Sequence, residues 1–219
     1  KLFCIGFHPA PFPIGRGAAV LNWIIIESED TSDIAWGNSM FVMDEKTDTG
    51  DILDFEPFLI ENRDDINTCY FKVYKSSLKM LKRTLPEINS GKYNRRKQDN
   101  SQATRYYKRT PADGLIDFSW DSFKIINYVR ALTSPYPGAF FKYKGDNIII
   151  WKASIGEKSN RADLDVGQIL DIDLKKGINV KAKNGTTIWI ELISDETGSE
   201  CWADEWVTEN GLKIGDTLK

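Results

Sequence analysis

Residues 1–28 read KLFCIGFHPAPFPIGRGAAVLNWIIIES, and a strand, a loop and a helix lie within this single stretch. KLFCIGFH has the apolar density of a buried strand ending at His8, the chain's only histidine. Pro9, Pro11 and Pro13 fix the path of the loop that follows, and Gly15 and Gly17 leave room beside Arg16 for a group to approach the backbone. GAAVLNWIIIES then reads as a short apolar helix.

Working outward, NSMFVMDEK (38–46) reads as a second strand running into an acidic turn. Residues 65–89 carry Ile66, Tyr70, Val73, Tyr74, Leu78, Leu81 and Leu85 at helical spacing, with a stop near Gly91. Strand, helix, strand, helix is the order of an α/β unit with parallel strands, in which ligands sit beyond the strands' carboxyl ends. His8 and the acidic turn both follow strands, so they are expected to face one site. Residues 92–118 are polar, basic and aromatic and read as a linker. WDSFKIINYVRAL (120–132) reads as a helix with Phe123, Ile126, Val129 and Leu132 on one side, stopped by Ser134-Pro135. Five short strands follow, with hairpin turns expected at Gly145-Asp146 and Asn184-Gly185, and together they suggest a small OB-like β-barrel. The expected organisation is 1–91, 92–118 and 119–219.

Composition narrows the function classes. The 29 Lys and Arg against 32 Asp and Glu give a net charge of −3, so no global positive field attracts nucleic acid or an anionic membrane. Cys4, Cys69 and Cys201 are dispersed and form no Cys-x-x-Cys pair, which argues against a disulfide framework or a zinc site and fits a reducing, cytoplasmic compartment. The longest apolar run, AAVLNWIII (18–26), is about half of what a membrane-spanning helix needs, and no signal peptide is apparent.

The chemistry turns on His8. A lone histidine can simply be packed, but MDEKTDTGDIL (43–53) supplies Asp44, Glu45, Asp48 and Asp51 after the next strand. A carboxylate beside an imidazole orients it and stabilises its charged form, which makes a usable acid or base. A calcium loop counted from Asp44 fails, because Lys46 and Thr49 occupy its third and sixth positions.

HPAPFPIGRGAAVLNWII, then SMFVMDEKTDTGDIL, then KRTPADGLIDFSWDSFKIINYVRALTSPYPGAF resemble, in order and spacing, the methionyl-tRNA formyltransferase family, which includes formyltransferases acting on amino-sugar nucleotides. The resemblance implies a doubly wound α/β catalytic domain, a linker and an OB-like C-terminal domain, with 10-formyltetrahydrofolate as donor, a primary amine as acceptor and no metal. It makes His8 and Asp48 the catalytic pair: a protonated His8 stabilises the oxyanion formed at the formyl carbon, and Asp48 holds the imidazole and helps remove the amine proton. Asp48 and Asp44 are the expected donor contacts, and Arg16, Arg105 and Tyr107 the expected acceptor contacts. Two departures stand out. The family motif Asn-x-His-Pro has Gly6 at its Asn position, which removes an oxyanion donor worth roughly 3–4 kcal/mol. The family also places a half-domain ahead of the His motif, whereas eight residues precede Pro9 here. The chain is therefore expected to be the C-terminal part of the catalytic domain, N-terminally truncated, with its linker and OB-like domain.

The acceptor is argued from charge. Region 92–109 holds Lys92, Arg95, Arg96, Lys97, Arg105, Lys108 and Arg109 against Asp99, with Tyr93, Tyr106 and Tyr107 interleaved. Such a strip suits tRNA, a sugar nucleotide's diphosphate, or solvent. Residues 153–219 carry 8 Lys and Arg against 13 Asp and Glu, a net of −5 that opposes tRNA and favours a small acceptor such as an amino-sugar nucleotide. Methionyl-tRNA formylation, 10-formyltetrahydrofolate hydrolysis and an inactive binding module are the alternatives. Trp189, Trp202 and Trp206 are expected to pack in the core or rim of the barrel, with stacking on a sugar or base as the other use. The sequon at 184–186 is read as a hairpin turn.

Overall fold

The computed structural model of the chain describes residues 3–28, 33–159, 163–195 and 197–218. They divide into two compact units, Lys1–Ile24 with Thr31–Arg109, and Ile25–Asp30 with Thr110–Lys219. Of the stretch 92–118, residues 92–109 fall in the first unit and 110–118 in the second.

The first unit is built on β1 (Ile5–His8), β2 (Arg16–Gly17), β3 (Ile34–Val42) and β4 (Ile52–Ile60). Helix α1 (Val20–Ile26) follows β2. The order β1-β3-β4 is antiparallel throughout, with Ile5 opposite Val42, His8 opposite Ser39 and Ile34 opposite Ile60. The expected parallel pairing is therefore corrected. The element order was suggestive, but β4 intervenes before the long helix and returns directly alongside β3, as only an antiparallel neighbour can. β4 carries Asp54, Glu56 and Pro57, residues that weaken a strand signal, and an edge position tolerates them.

Helix α2 (Ile66–Asn89) starts at a capping box: the Asp65 carboxylate accepts from Thr68 N–H at 2.8 Å, and Thr68 Oγ1 accepts from Asp65 N–H at 2.9 Å. It packs on β3 and β4 through Ile66, Cys69, Ser76, Met80 and Thr84, while Tyr70, Tyr74, Leu78 and Leu85 are exposed. The buried stripe is offset from the most apolar one because the sheet offers polar partners. Asn38 Nδ2 donates to Ser76 and Ser77 hydroxyls at 3.0 and 2.8 Å, and Thr84 Oγ1 donates to Asp54 at 2.8 Å. Arg83 clamps the same face, donating to both Asp54 oxygens at 2.6 and 2.9 Å and to Glu56 at 2.5 Å. Burial pushes the Asp54 carboxyl up, but the hydrogen bonds from Arg83 and Thr84 outweigh it and hold Asp54 below the usual range. Hydrogen bonds from Lys79 and Arg83 hold Glu56 down likewise. The short strand β5 (Arg105–Tyr106) pairs parallel with β2, Arg16 opposite Arg105.

The second unit contains α3 (Ser122–Leu132), β6 (Ala139–Tyr143), β7 (Asp146–Ile155), β8 (Ile169–Asp173), β9 (Gly177–Lys181), β10 (Thr187–Ser194), β11 (Glu200–Trp202) and α4 (Ala203–Glu209). All five expected strands are present, ordered β6-β7-β10-β9-β8 and antiparallel, with β11 added beside β10. β6 and β8 are the end strands of this ladder. The first hairpin turns at Lys144-Gly145, one residue earlier than expected, with φ of 52° and 99°, the paired left-handed conformations of a tight hairpin turn. Ile178, Val180, Ile188 and Ile190 point into the core, and all are fully buried. Trp206 packs there against Phe141 and Tyr143, ring centroids 6.0 and 5.1 Å away, whereas Trp202 is 52% exposed. Among the described residues no helix is long and apolar enough to cross a membrane.

Candidate active site

His8 ends β1 and is almost buried, its ring stacked on Phe12 with centroids 4.8 Å apart. The loop after it is tied to β3. Ser39 Oγ donates to Ala10 O at 2.6 Å and accepts from Phe12 N–H at 3.2 Å, and Trp36 Nε1 donates to Pro9 O at 2.6 Å. This loop returns the Gly15 carbonyl to the imidazole, 2.8 Å from Nε2. A carbonyl only accepts, so Nε2 carries hydrogen and Nδ1 is the ring atom left for other chemistry.

The acidic turn between β3 and β4 folds back onto the end of β3. Val42 N–H donates to Asp51 O at 2.9 Å, and a side chain at Gly50 would lie 1.6 Å from Val42 O, so only glycine permits this fold. The expectation that His8 and the acidic turn face each other from the same ends of parallel strands is thus corrected: the strands run in opposite directions and the turn doubles back. Asp48 adopts φ 62°, a left-handed conformation that Asp tolerates better than most residues. Its Oδ2 accepts from Gly17 N–H at 2.8 Å, and its Oδ1 lies 3.8 Å from His8 Nδ1. Each partner therefore anchors one atom on glycine backbone and presents the other across a gap longer than a hydrogen bond. Asp44 turns inward on its own loop, accepting from Thr49 Oγ1 at 2.8 Å and Lys46 N–H at 3.1 Å.

Segment 96–106 straps this arrangement together. Ile52 and Arg96 exchange backbone hydrogen bonds at 2.8 and 2.9 Å. Gln98 Nε2 donates to Asp48 O at 3.1 Å and Gly50 O at 2.7 Å, and its Oε1 accepts from Arg16 Nε and Nη2 at 3.1 and 2.7 Å. Asn100 takes a third bond from Arg16 at 2.8 Å, and Thr104 Oγ1 accepts from Gly15 N–H at 2.8 Å. Sequence reading missed Gln98, Asn100 and Thr104, since neutral polar residues in a basic stretch carry no signal of contacts some 50 to 90 residues away.

The other expected contacts fall apart from one another. Arg16 is only 6% exposed and faces Gln98 and Asn100 as an internal tie. Burial and then Arg105 push its guanidinium below the ordinary value, Asp48 and Asp44 pull the other way, and it stays charged. Arg105 donates to Thr47 O at 3.1 Å, gripping the acidic turn, and Tyr107 is 76% exposed. At Gly6 a Cβ would lie 2.7 and 2.8 Å from the buried Phe41 ring, so Phe41 fills the space where an asparagine side chain would start. Among the described residues no three His, Cys, Asp or Glu converge as metal ligands.

Residues 108–211 match the model of the formyl transferase C-terminal domain, and the chain as a whole is similar to formyltransferases. It is 36% identical over 159 residues to the bifunctional polymyxin resistance protein ArnA of Wigglesworthia glossinidia brevipalpis, covering 73% of this chain and 24% of ArnA. The chain thus spans about a quarter of that relative's length. In fold it is similar to HypX from Aquifex aeolicus solved with tetrahydrofolic acid (TM-score 0.74, 20% identity, 96% of this chain and 36% of HypX). It is likewise similar to an N-formyltransferase from Helicobacter canadensis solved with folinic acid and dTDP-3-aminofucose (TM-score 0.65, 19% identity, 85% of this chain and 65% of the other).

Proposed function

We propose that this chain is part of an N-formyltransferase that moves a formyl group from 10-formyltetrahydrofolate to the primary amine of an amino-sugar nucleotide. The carrying observation is the shared logic of His8 and Asp48: Nε2 and Oδ2 are spent on Gly15 and Gly17 backbone, and Nδ1 and Oδ1 face each other 3.8 Å apart. The donor, when bound, supplies an electrophilic formyl carbon. The chain's residues then do two things. His8 Nδ1 donates to the formyl oxygen as the amine nitrogen bonds to the formyl carbon and negative charge develops. The Asp48 carboxylate, fixed by Gly17, balances that imidazolium and takes up the proton the amine loses, which passes to the donor nitrogen as its bond to the formyl carbon breaks. The donor set is one imidazole and one carboxylate with nearby backbone amides, which suits acyl transfer and needs no metal. Phe41 in place of an asparagine leaves His8 as the principal oxyanion partner from this segment.

The first unit is read as the C-terminal part of the catalytic domain, and the second as an appended OB-like domain in a cytoplasmic enzyme. The relatives carrying folates and a dTDP-aminosugar support the donor and acceptor classes, and so does the acidic balance of residues 153–219. The test is 10-formyltetrahydrofolate turnover by the protein containing these residues, with amino-sugar nucleotides or charged initiator tRNA as acceptor. Turnover with the former, lowered about 100- to 10,000-fold by His8→Ala and by Asp48→Asn, is the expected result. Turnover with tRNA alone, falling steeply with salt, would replace the acceptor; formate release without any amine would replace transfer by hydrolysis. Wild-type rates in both variants would overturn the catalytic pair.

A further inference from the structure

The second unit presents a groove lined by none of the residues placed in the His8 and Asp48 site. Along β10, Ile188 and Ile190 face the core, so Thr187, Trp189 and Glu191 face the opposite side of the sheet. Cross-strand register sets Ser154 of β7 beside Trp189, Trp189 beside Asn179 of β9, and Asn179 beside Asp171 of β8. One indole thus sits in a row of short polar side chains running across four strands, ~14 Å from end to end at ordinary strand spacing. The groove over this row encloses about 710 Å³.

Its chemistry is specific in three ways. Trp189 is half-buried in the floor and offers an aromatic face, with Lys176 Nζ 5.4 Å from the ring centroid. Thr187 Oγ1 is already committed, donating to Glu157 O at 2.7 Å, and braces Asn179 Nδ2 at 3.3 Å, so the floor is pre-organised. Charge is balanced: Lys158, Lys175 and Lys176 line the groove against Glu157, Asp171 and Glu191. A polyphosphate or nucleic-acid backbone finds no net positive field there. A neutral polyhydroxylated ring matches it, since its hydroxyls both donate and accept and its apolar C–H face stacks on indole.

We propose that this outer face of the β7-β10-β9-β8 sheet is a saccharide-binding groove, centred on Trp189 and long enough for two sugar rings. It stands independently of the formyl-transfer reading, because no residue of the His8 and Asp48 site takes part. The test is a ¹⁵N NMR titration of the whole chain with maltose, with N,N′-diacetylchitobiose and, separately, with UMP. Saturable shifts of the Trp189 indole N–H and the Asn179 carboxamide with at least one disaccharide are expected. Trp189→Ala should weaken that binding roughly tenfold or more, while Trp189→Phe, which keeps an aromatic face, retains most of it. Trp202→Ala, outside the groove, should leave it unchanged. Saturation by UMP alone would overturn the saccharide assignment in favour of a nucleotide, and no saturable shift by either disaccharide up to ~10 mM would overturn the site.

Discussion

Gln98 is the residue on which the candidate site's geometry most depends, and Gln98→Ala is its sharpest test. The side chain joins Arg16 to the Asp48 turn through two bonds received from the guanidinium and two given to the Asp48 and Gly50 carbonyls. Bonds to a charged donor are worth roughly 1.5–3 kcal/mol and neutral ones about 1 kcal/mol. Arg16 keeps Asn100, and water can enter the space left, so the net cost is about 2–4 kcal/mol. That loss falls locally on the pairing of the turn with segment 96–106. The assay is amide hydrogen exchange at Gly17 and Arg96, whose N–H groups bond Asp48 Oδ2 and Ile52 O. Exchange there should quicken about 30- to 700-fold, the conversion of that free energy, with core amides of β9 and β10 unchanged. Gln98→Glu separates the two halves: it keeps an acceptor for Arg16 but sets carboxylate oxygens against two carbonyls, so the turn loosens while Arg16 stays paired. If Gln98→Ala leaves exchange at Gly17 within about twofold of wild type, the strap does not hold the Asp48 turn and the reasoning fails.

Gly6→Asn should lower stability by about 1–3 kcal/mol in a urea titration without raising turnover, because its Cβ meets the Phe41 ring at 2.7 Å; a faster and equally stable variant would show that the ring yields. Met80→Ala should cost about 2–5 kcal/mol, since Met80 is fully buried, and Leu78→Ala, 38% exposed, well under half of that; equal losses would contradict the buried stripe of α2. Asp54 and Glu56 have folded-state values held below their unfolded ones, so their stabilisation is complete above the ordinary carboxylate range and is lost as pH falls through the folded values. Stability measured from pH 7 downward should therefore decline below about pH 4, and Arg83→Met should flatten that decline.

Local signals were legible wherever a short-range rule governs the chain. The apolar spacing over 65–89 and the stop near Gly91 bracket α2 closely, and five of the second unit's six strands follow from its alternation and turns. Long-range choices were not. The apolar period of α2 announces a helix but not its buried face, because Ser76 and Thr84 are buried for the hydrogen bonds that Asn38 and Asp54 offer. Strand direction was hidden by β4, whose acids look like a surface turn until Arg83 and Lys79 are seen to neutralise them. In the candidate site, His8 and Asp48 stand out by residue type, while the atoms that orient them, the Gly15 carbonyl and the Gly17 amide, have no side chain to be recognised by.

The fate of the basic stretch bears on the acceptor. Read as sequence, 92–109 offers seven cations to a polyanion. In the fold, the Arg95 guanidinium lies 4.4 Å from the centre of the Phe3 ring and 5.4 Å from that of Tyr93, Arg109 lies 4.5 Å from the centre of the Trp23 ring, and Arg105 is bonded to Thr47 O. An arginine that grips phosphate uses the in-plane N–H groups of its fork; Arg105 spends one on Thr47 O and Arg95 one on the Tyr93 hydroxyl, while ring contacts orient Arg95 and Arg109 by their faces. Arg16, the neighbour that would extend the strip, is buried on Gln98 and Asn100. Arg105 and Arg16 are thus committed within the fold, which reduces what this stretch offers to a polyanion. That is in keeping with the small acceptor proposed above, which asks less of the cations that remain.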